Sequence, residues 1–172
     1  EIRNCDWSSD VCSSDLERFI DHFLTPTDRQ RIVSRMSYFG EQLSATDIAS
    51  LYQSSDAYVS PYRAEGFNMP VLEAVASGLP VIVTAGGPTD EFVPKGVGQF
   101  IRAKLVAMPE GRGEHLSPDL GDLGEGMGRV ALDRSLGARA RIAGPAHVAA
   151  SHTWGHVTEK LVALLRDQAS RP

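Results

Sequence analysis

Cysteine is nearly absent from this chain. Its 172 residues hold two, Cys5 and Cys12. Both lie inside or beside one Ser/Asp-rich run, DWSSDVCSSDL, at residues 6–16. The remaining sequence therefore offers no disulfide, no thiolate metal site and no cysteine nucleophile. Such a body fits a reducing, cytoplasmic setting. An excess of basic charge is also missing. The formal net charge is −5, and without the run's three Asp residues it falls to about −2. With no basic stripe, nucleic acid is not expected as a main partner. No apolar run approaches the roughly 20 residues of a membrane span.

The opening run has no basic n-region and no apolar h-region, so it is not a signal peptide. It shows neither helical nor strand periodicity. By composition it reads as a disordered tail, but the string resembles a sequencing-library adapter translated in frame. Residues 1–16 are accordingly set aside as a non-native scar, which leaves residues 17–172 as the body. That length suits one domain with a sizeable core. A chain that opens in a scar is also expected to be half of a larger two-domain protein.

Along the body, residues 17–24 read as a helix. A turn at Thr25-Pro26-Thr27 follows, then a helix from about Asp28 to Ser34 with Thr27 as its N-cap. The aromatic SYFG, closed by Gly40, predicts a strand. In LSATDIASLYQSSD, Ser44 can cap a helix with Asp47 in its first turn, and Ile48, Leu51 and Tyr52 form a stripe. AYVSP predicts a strand ending at Pro61. EGFNMPVLEAVASGLP reads as loop, then helix, then a stop at Gly78. VIVTA is a β-branched run of the kind buried on both faces of a parallel sheet. GGPTDEFV is a glycine turn opening a short helix. GQFIRAKLV predicts a weaker strand with a variable loop, PEGRGEHLSPD, behind it. From about residue 118 the pattern is helical, roughly 118–133, 134–150 and 154–169. Strand and helix alternate through short links, which indicates an α/β domain with a parallel sheet.

In an open α/β sheet, ligands sit beyond the carboxyl ends of the strands. The loop from Pro61 to Asn68 leaves one such end, and the loop from Gly86 to Asp90 leaves another. Both are expected to face one crevice. The helix beginning near Met69 points its first turn there, and Pro70 is acceptable in that turn. The N–H groups around Phe67, Asn68 and Met69, backed by the helix dipole, would form an anion seat suited to a diphosphate. Gly66 removes a Cβ from the ligand's path. Glu65 and Glu73 stand eight residues apart. On a helical wheel Val75, Ala76 and Leu79 cluster with Leu72 as a buried stripe. Glu73 falls about 100° away, on the flank. There it could accept hydrogen bonds from ribose hydroxyls, while Glu65 reaches another part of the same ligand.

The segment EGFNMPVLEAVASGLPVIVTAGG resembles the E-x7-E signature of retaining glycosyltransferases of the GT-B fold, the group-1 class. The likeness extends upstream through LSATDIASLYQSSDAYVSP and, more weakly, to the closing HTWGHVTEKLVALL. It covers most of residues 36–172. The resemblance implies a Rossmann-like parallel sheet with helices on both faces, the donor-binding half of the fold, followed by a helical C-terminal tail. It implies a nucleotide-diphosphate sugar as donor substrate and an unknown glycan, lipid or protein as acceptor. An N-terminal domain of the same enzyme would bind that acceptor. By the same resemblance Glu73 binds the donor's ribose, and Glu65, the candidate catalytic residue, contacts the transferred sugar. The backbone of Gly66, Phe67, Asn68 and Met69 holds the diphosphate or the sugar. Gly86 and Gly87 border the pocket, and Phe39-Gly40 lies near the base. No resident cofactor and no metal are expected, because the helix dipole and an Arg/Lys pair stabilise the leaving group. Neither Arg63 nor Lys95 fits that pair's position, so this chain alone is expected to be inactive. Asn68 departs from the family's usual Gly, although Asn tolerates unusual backbone angles.

Other features read more simply. Asn68 is also a natural helix N-cap. Thr89, Asp90 and Glu91 read as a cap with first-turn acids. His152 and His156 are four apart, but Trp154 and Gly155 place a helix start between them. With His147, they read as structural or surface histidines. GEGMG, residues 124–128, follows no strand and so fails as a dinucleotide loop. Arg102, Lys104 and Arg112 read as a solvated rim. Two further readings stay open: a non-catalytic nucleotide- or sugar-phosphate-binding module, and a scaffold whose helical tail binds a protein.

Overall fold

The computed structural model describes residues 18–39, 42–111 and 113–169. Its contacts divide the chain into two compact units, Glu1–Thr46 and Asp47–Pro172. The run at residues 6–16 lies outside the described residues.

In the first unit, residues 18–23 are helical and helix α1 spans Pro26–Val33. Its cap is Thr25, not Thr27: the Thr25 hydroxyl accepts from the Asp28 N–H at 3.2 Å. Proline explains the earlier start, since it has no N–H to leave unpaired and its fixed φ suits the first turn. An ion pair of 2.6 Å joins Arg29 to Asp21. The strand expected at SYFG does not form. Residues 36–39 are irregular, and Gly40 lies outside the described residues. An aromatic tripeptide has no strand character without a neighbouring ladder to pair with.

Helix α2, Ala45–Ser54, carries Asp47 in its first turn and has no buried residue. Its stripe is only partly covered: Ile48 is exposed, whereas Leu51 and Tyr52 are half-buried. Strand β1, Tyr58–Ser60, pairs in parallel with β2, Val81–Thr84, which pairs in parallel with β3, Gly98–Ile101. All four residues of β2 are buried. Val81 and Val83 join the core beneath helix α3, Met69–Ala76. Ile82 points the other way, toward Gly126 of helix α4, Leu120–Leu132. Helices thus cover both faces of the central strand, which is why its sequence is an unbroken β-branched run.

Helix α3 is packed on two sides. It lies against β1 and β2 and also against helix α5, Arg134–Ser151. Val71, Leu72, Ala74 and Val75 are buried, while Ala76, expected in the buried stripe, is exposed. The second packed side, against α5, rotates the buried arc toward Val71 and Ala74. That side is made of small residues. Ala74 and Ala140 are fully buried, and a Cβ at Gly144 would collide with the Val75 carbonyl oxygen. Gly78 ends α3 at φ 79°, and a Cβ there would stand 2.9 Å from the Arg141 Cα.

The segment after β3 also differs from expectation. Arg102 interrupts the extended run, and strand β4, Ala103–Ala107, turns away to pair antiparallel with β5, Glu114–Pro118. Five of the eleven residues of the expected variable loop, 109–119, are therefore the second arm of a hairpin. Local alternation cannot tell a long strand from two strands in different sheets. Arg102 is also more than a rim residue. Its N–H donates to Asp122 Oδ2 at 2.8 Å and its Nε to the same oxygen at 3.2 Å. Arg129 approaches Asp122 Oδ1 at 3.7 Å. Asp119 and Asp133 cap α4 and α5 by accepting N–H bonds from Asp122 and Ser135. Helix α6, Trp154–Ala169, has no buried residue. No helix among the described residues is long and apolar enough to cross a membrane.

Two outcomes are expected. Gly144→Ala should lower stability by about 1–3 kcal/mol through overpacking, despite the better helix propensity of Ala, and thermal melting would register it. The Asp122 carboxyl is held below the ordinary aspartate range, first by the Arg102 N–H and further by the two guanidinium groups, against the opposing effect of burial. A depressed carboxyl contributes stability above its unfolded value and loses it as pH falls through the folded one. The melting temperature of the parent should therefore drop more steeply on acidification than that of Asp122→Asn.

Candidate functional site

Parallel pairing brings the ends of β1 and β2 to the same edge of the sheet. The loops over residues 61–68 and 85–90 start there and are clipped together. The buried Tyr62 hydroxyl donates to the Thr84 carbonyl at 3.0 Å and shares a hydrogen bond of 2.7 Å with the Thr89 hydroxyl. The Thr84 hydroxyl returns a 2.7 Å bond to the Tyr62 carbonyl. Burial pushes the Tyr62 phenol up, although its bonds with Thr89 oppose the shift. Gly87 lies so close to the hydroxyl end of this ring that a Cβ would stand 2.7 Å from a ring carbon. Gly86 sits at φ 87°, and its N–H donates to Asp90 Oδ2 at 2.8 Å. Thr89, expected as a cap residue, is instead a fully buried part of the clip.

The tip of α3 is shaped by Asn68. This residue occupies the N-cap position in the left-handed region, with φ 72° and ψ 64°, and makes no side-chain capping bond. The backbone turn carries its side chain toward β1, where Nδ2 donates to Ser60 Oγ at 3.1 Å. Asn is among the few residues besides glycine that enter this region. Its carbonyl accepts from Val71 and Leu72. Among the described residues, no acceptor meets the N–H groups of Phe67, Asn68 and Met69. The Phe67 ring stacks on buried Phe92 at 4.8 Å, so the side chain anchors the loop. Gly66 is exposed, with nothing within 4 Å of where a Cβ would stand. Met69 is exposed as well.

Glu65 and Glu73 are both exposed. Glu73 lies on the flank of α3, as the wheel expects, and its Oε2 accepts from the Tyr52 hydroxyl at 3.2 Å. The Tyr58 phenol is raised by burial and then by the charges of Glu73 and of Glu65. Glu65 stands in the loop that leaves β1, and Glu73 on the helix that this loop enters. Two wall elements escaped the sequence reading. Leu116 of β5 donates its N–H to the Arg63 carbonyl at 2.7 Å, and its side chain would lie 3.6 Å from a Cβ at Gly86. The hairpin therefore borders both loops. Phe92 is the other, legible only as an apolar residue after PTDE.

Phe39 belongs to the first unit, while Gly40 and Arg112 are outside the described residues. The His147 and His152 rings lie 5.0 Å apart. The His152 Nδ1 shares a 3.0 Å bond with Ser151, and the His156 Nδ1 one of 2.7 Å with Thr153. Among the described residues there is no group of three His, Cys, Asp or Glu able to hold a metal ion. GEGMG lies inside α4. A hollow of about 680 Å³, lined by Ala57, Pro80, Ile82, Met127 and Arg134, opens near the amino ends of β1 and β2. It touches none of the candidate residues, and in a parallel sheet binding chemistry belongs at the other edge.

A family model described as Glycosyl transferases group 1 matches residues 22–112, more than half of the chain, a span that includes Glu65 to Glu73 and both loops but not the β5 wall. The chain belongs to that family of glycosyltransferases. A GDP-mannose-dependent alpha-mannosyltransferase of Mycobacterium tuberculosis is 38% identical over 95 residues, which are 54% of this chain and 23% of that protein. A D-inositol 3-phosphate glycosyltransferase of Mycolicibacterium smegmatis is 28% identical over 143 residues, 83% of this chain and 29% of the relative. The glycosyltransferase chain thus spans less than a third of the length of these relatives. Its fold resembles that of sucrose-phosphate synthase from Thermosynechococcus elongatus, with a TM-score of 0.64 and 22% identity over 84% of this chain and 35% of that one.

The clip gives a direct test. Tyr62→Phe removes two hydrogen bonds and leaves the buried Thr89 hydroxyl and Thr84 carbonyl each short of a partner. Denaturant unfolding should show a loss of about 1–3 kcal/mol.

Proposed function

We propose that this chain is the donor-binding half of a glycosyltransferase. The parent enzyme would move a sugar from a nucleotide-diphosphate donor to a glycan, lipid or protein acceptor, with retention at the anomeric carbon. The observation that carries this reading is the loop–helix unit at the carboxyl end of β1: Glu65 in the loop, the unpaired N–H groups of residues 67–69 at the helix tip, and Glu73 on the exposed flank of that helix. In this reading Glu73 accepts hydrogen bonds from the ribose. The N–H groups at the α3 tip, with its dipole, take the diphosphate. Glu65 contacts the sugar being transferred. Gly86 and Gly87 form the pocket border through their backbone, since the Gly86 N–H is already engaged by Asp90.

Departure of the diphosphate concentrates negative charge at the tip. Preorganised donors at such a point are often the largest contribution to catalysis, so no metal is required in this scheme. A cation pair and an acceptor-binding domain of the same enzyme would complete the site. A cysteine-poor body suits a cytoplasmic location.

The test is calorimetric titration of the chain with GDP, UDP and ADP. GDP comes first because the M. tuberculosis relative is named for a GDP-sugar. Glu73→Ala should weaken the best ligand by about 1.5–3 kcal/mol, the scale of a charged hydrogen bond. Absence of binding by all three, or unchanged affinity in the variant, would rule the reading out.

A further inference from the structure

Glu73 is held by a residue from another helix. The hydroxyl of Tyr52, near the carboxyl end of α2, stands 3.2 Å from both Glu73 Oε2 and the Pro70 carbonyl oxygen, so that its single proton is shared between these two acceptors. One phenol thus touches both the carboxylate and the first turn of α3, whose N–H groups form the bare tip. The Tyr52 ring is itself fixed, edge-on to Tyr58 with centroids 5.8 Å apart. Burial first, and then the negative charge of Glu73, push its phenol above the ordinary range. It therefore stays protonated and remains a donor. A glutamate on an exposed helix flank otherwise moves among several rotamers. A donor fixed on Oε2 restricts that freedom and leaves Oε1 to accept from a ligand.

We propose that Tyr52 is a positioning residue of the donor site: it orients the Glu73 carboxylate toward the ribose and ties it to the helix tip that takes the diphosphate. This inference rests on the donor-site reading above and deepens it. Ordering the carboxylate before the ligand arrives removes a cost that binding would otherwise meet. A purely structural role makes a different prediction. If the hydroxyl only fastens α2 to α3, its loss affects every ligand alike.

The experiment uses the whole chain and the tightest-binding of GDP, UDP and ADP, together with the 2′,3′-dideoxy form of the same nucleotide. Tyr52→Phe should raise Kd for the ribonucleotide about threefold to tenfold, the scale of one net hydrogen bond. It should leave Kd for the dideoxy form nearly unchanged. In a Glu73→Ala background the same substitution should have almost no further effect. Equal weakening of both nucleotides, or an undiminished effect in that background, would make Tyr52 a structural fastener and overturn the inference. The cycle compares Tyr52→Phe with and without Glu73, so a general loss of fold would register as the undiminished effect. If Glu73→Ala alone changes nothing, the donor-site reading fails first and this inference falls with it.

Discussion

The buried hydroxyl of Tyr62 determines how the candidate site is assembled. The two loops that leave β1 and β2 have no ladder to align them. They are aligned by one phenol, two threonine hydroxyls and two carbonyls, all in the interior. Hydrogen bonds of this kind contribute modestly when made and cost more when one partner is lost. The arrangement is therefore specific: the loops meet in one register or leave polar groups buried and unpaired. Gly87 follows from it, because the chain must pass close to the hydroxyl end of the Tyr62 ring, where a side chain would not fit.

A second constraint acts on α3. The helix is buried against the sheet on one side and against α5 on another, through contacts too close for larger residues. What remains exposed is its amino tip and the flank that carries Glu73. The acid's direction is thus set largely by where the helix has no room to face. The left-handed Asn68 keeps the tip bare by sending its own side chain to Ser60 and not to the N–H groups. The hairpin of β4 and β5 then adds a wall through Leu116. The stretch so arranged, residues 61–90, lies within the 22–112 segment that the family model matches.

Much of this was legible in order along the sequence. The β-branched VIVT announces a strand covered on both faces, Gly78 marks the end of α3, and the wheel places Glu73 on its flank. These features depend on near neighbours and on simple periods, which a sequence carries directly. Misreadings occurred where a choice depended on distant partners. SYFG has strand residues but meets no ladder among the described residues. GQFIRAKLV reads as one strand, yet divides at Arg102 because Asp122, from α4, binds it there. Ala76 yields its place in the buried arc because α5 packs on a second side of α3.

The sequence by itself determined the α/β alternation, the loop–helix–strand unit that carries the two acids, and the likeness to glycosyltransferases. All of these are written in local pattern and spacing. Only the tertiary structure decided what holds those acids and loops in place: the phenols of Tyr52 and Tyr62, the stacking of Phe67 on Phe92, and the hairpin at the rim. Each joins residues far apart in the chain, and a hydrogen bond or ring contact between distant positions leaves no periodic trace in a single sequence.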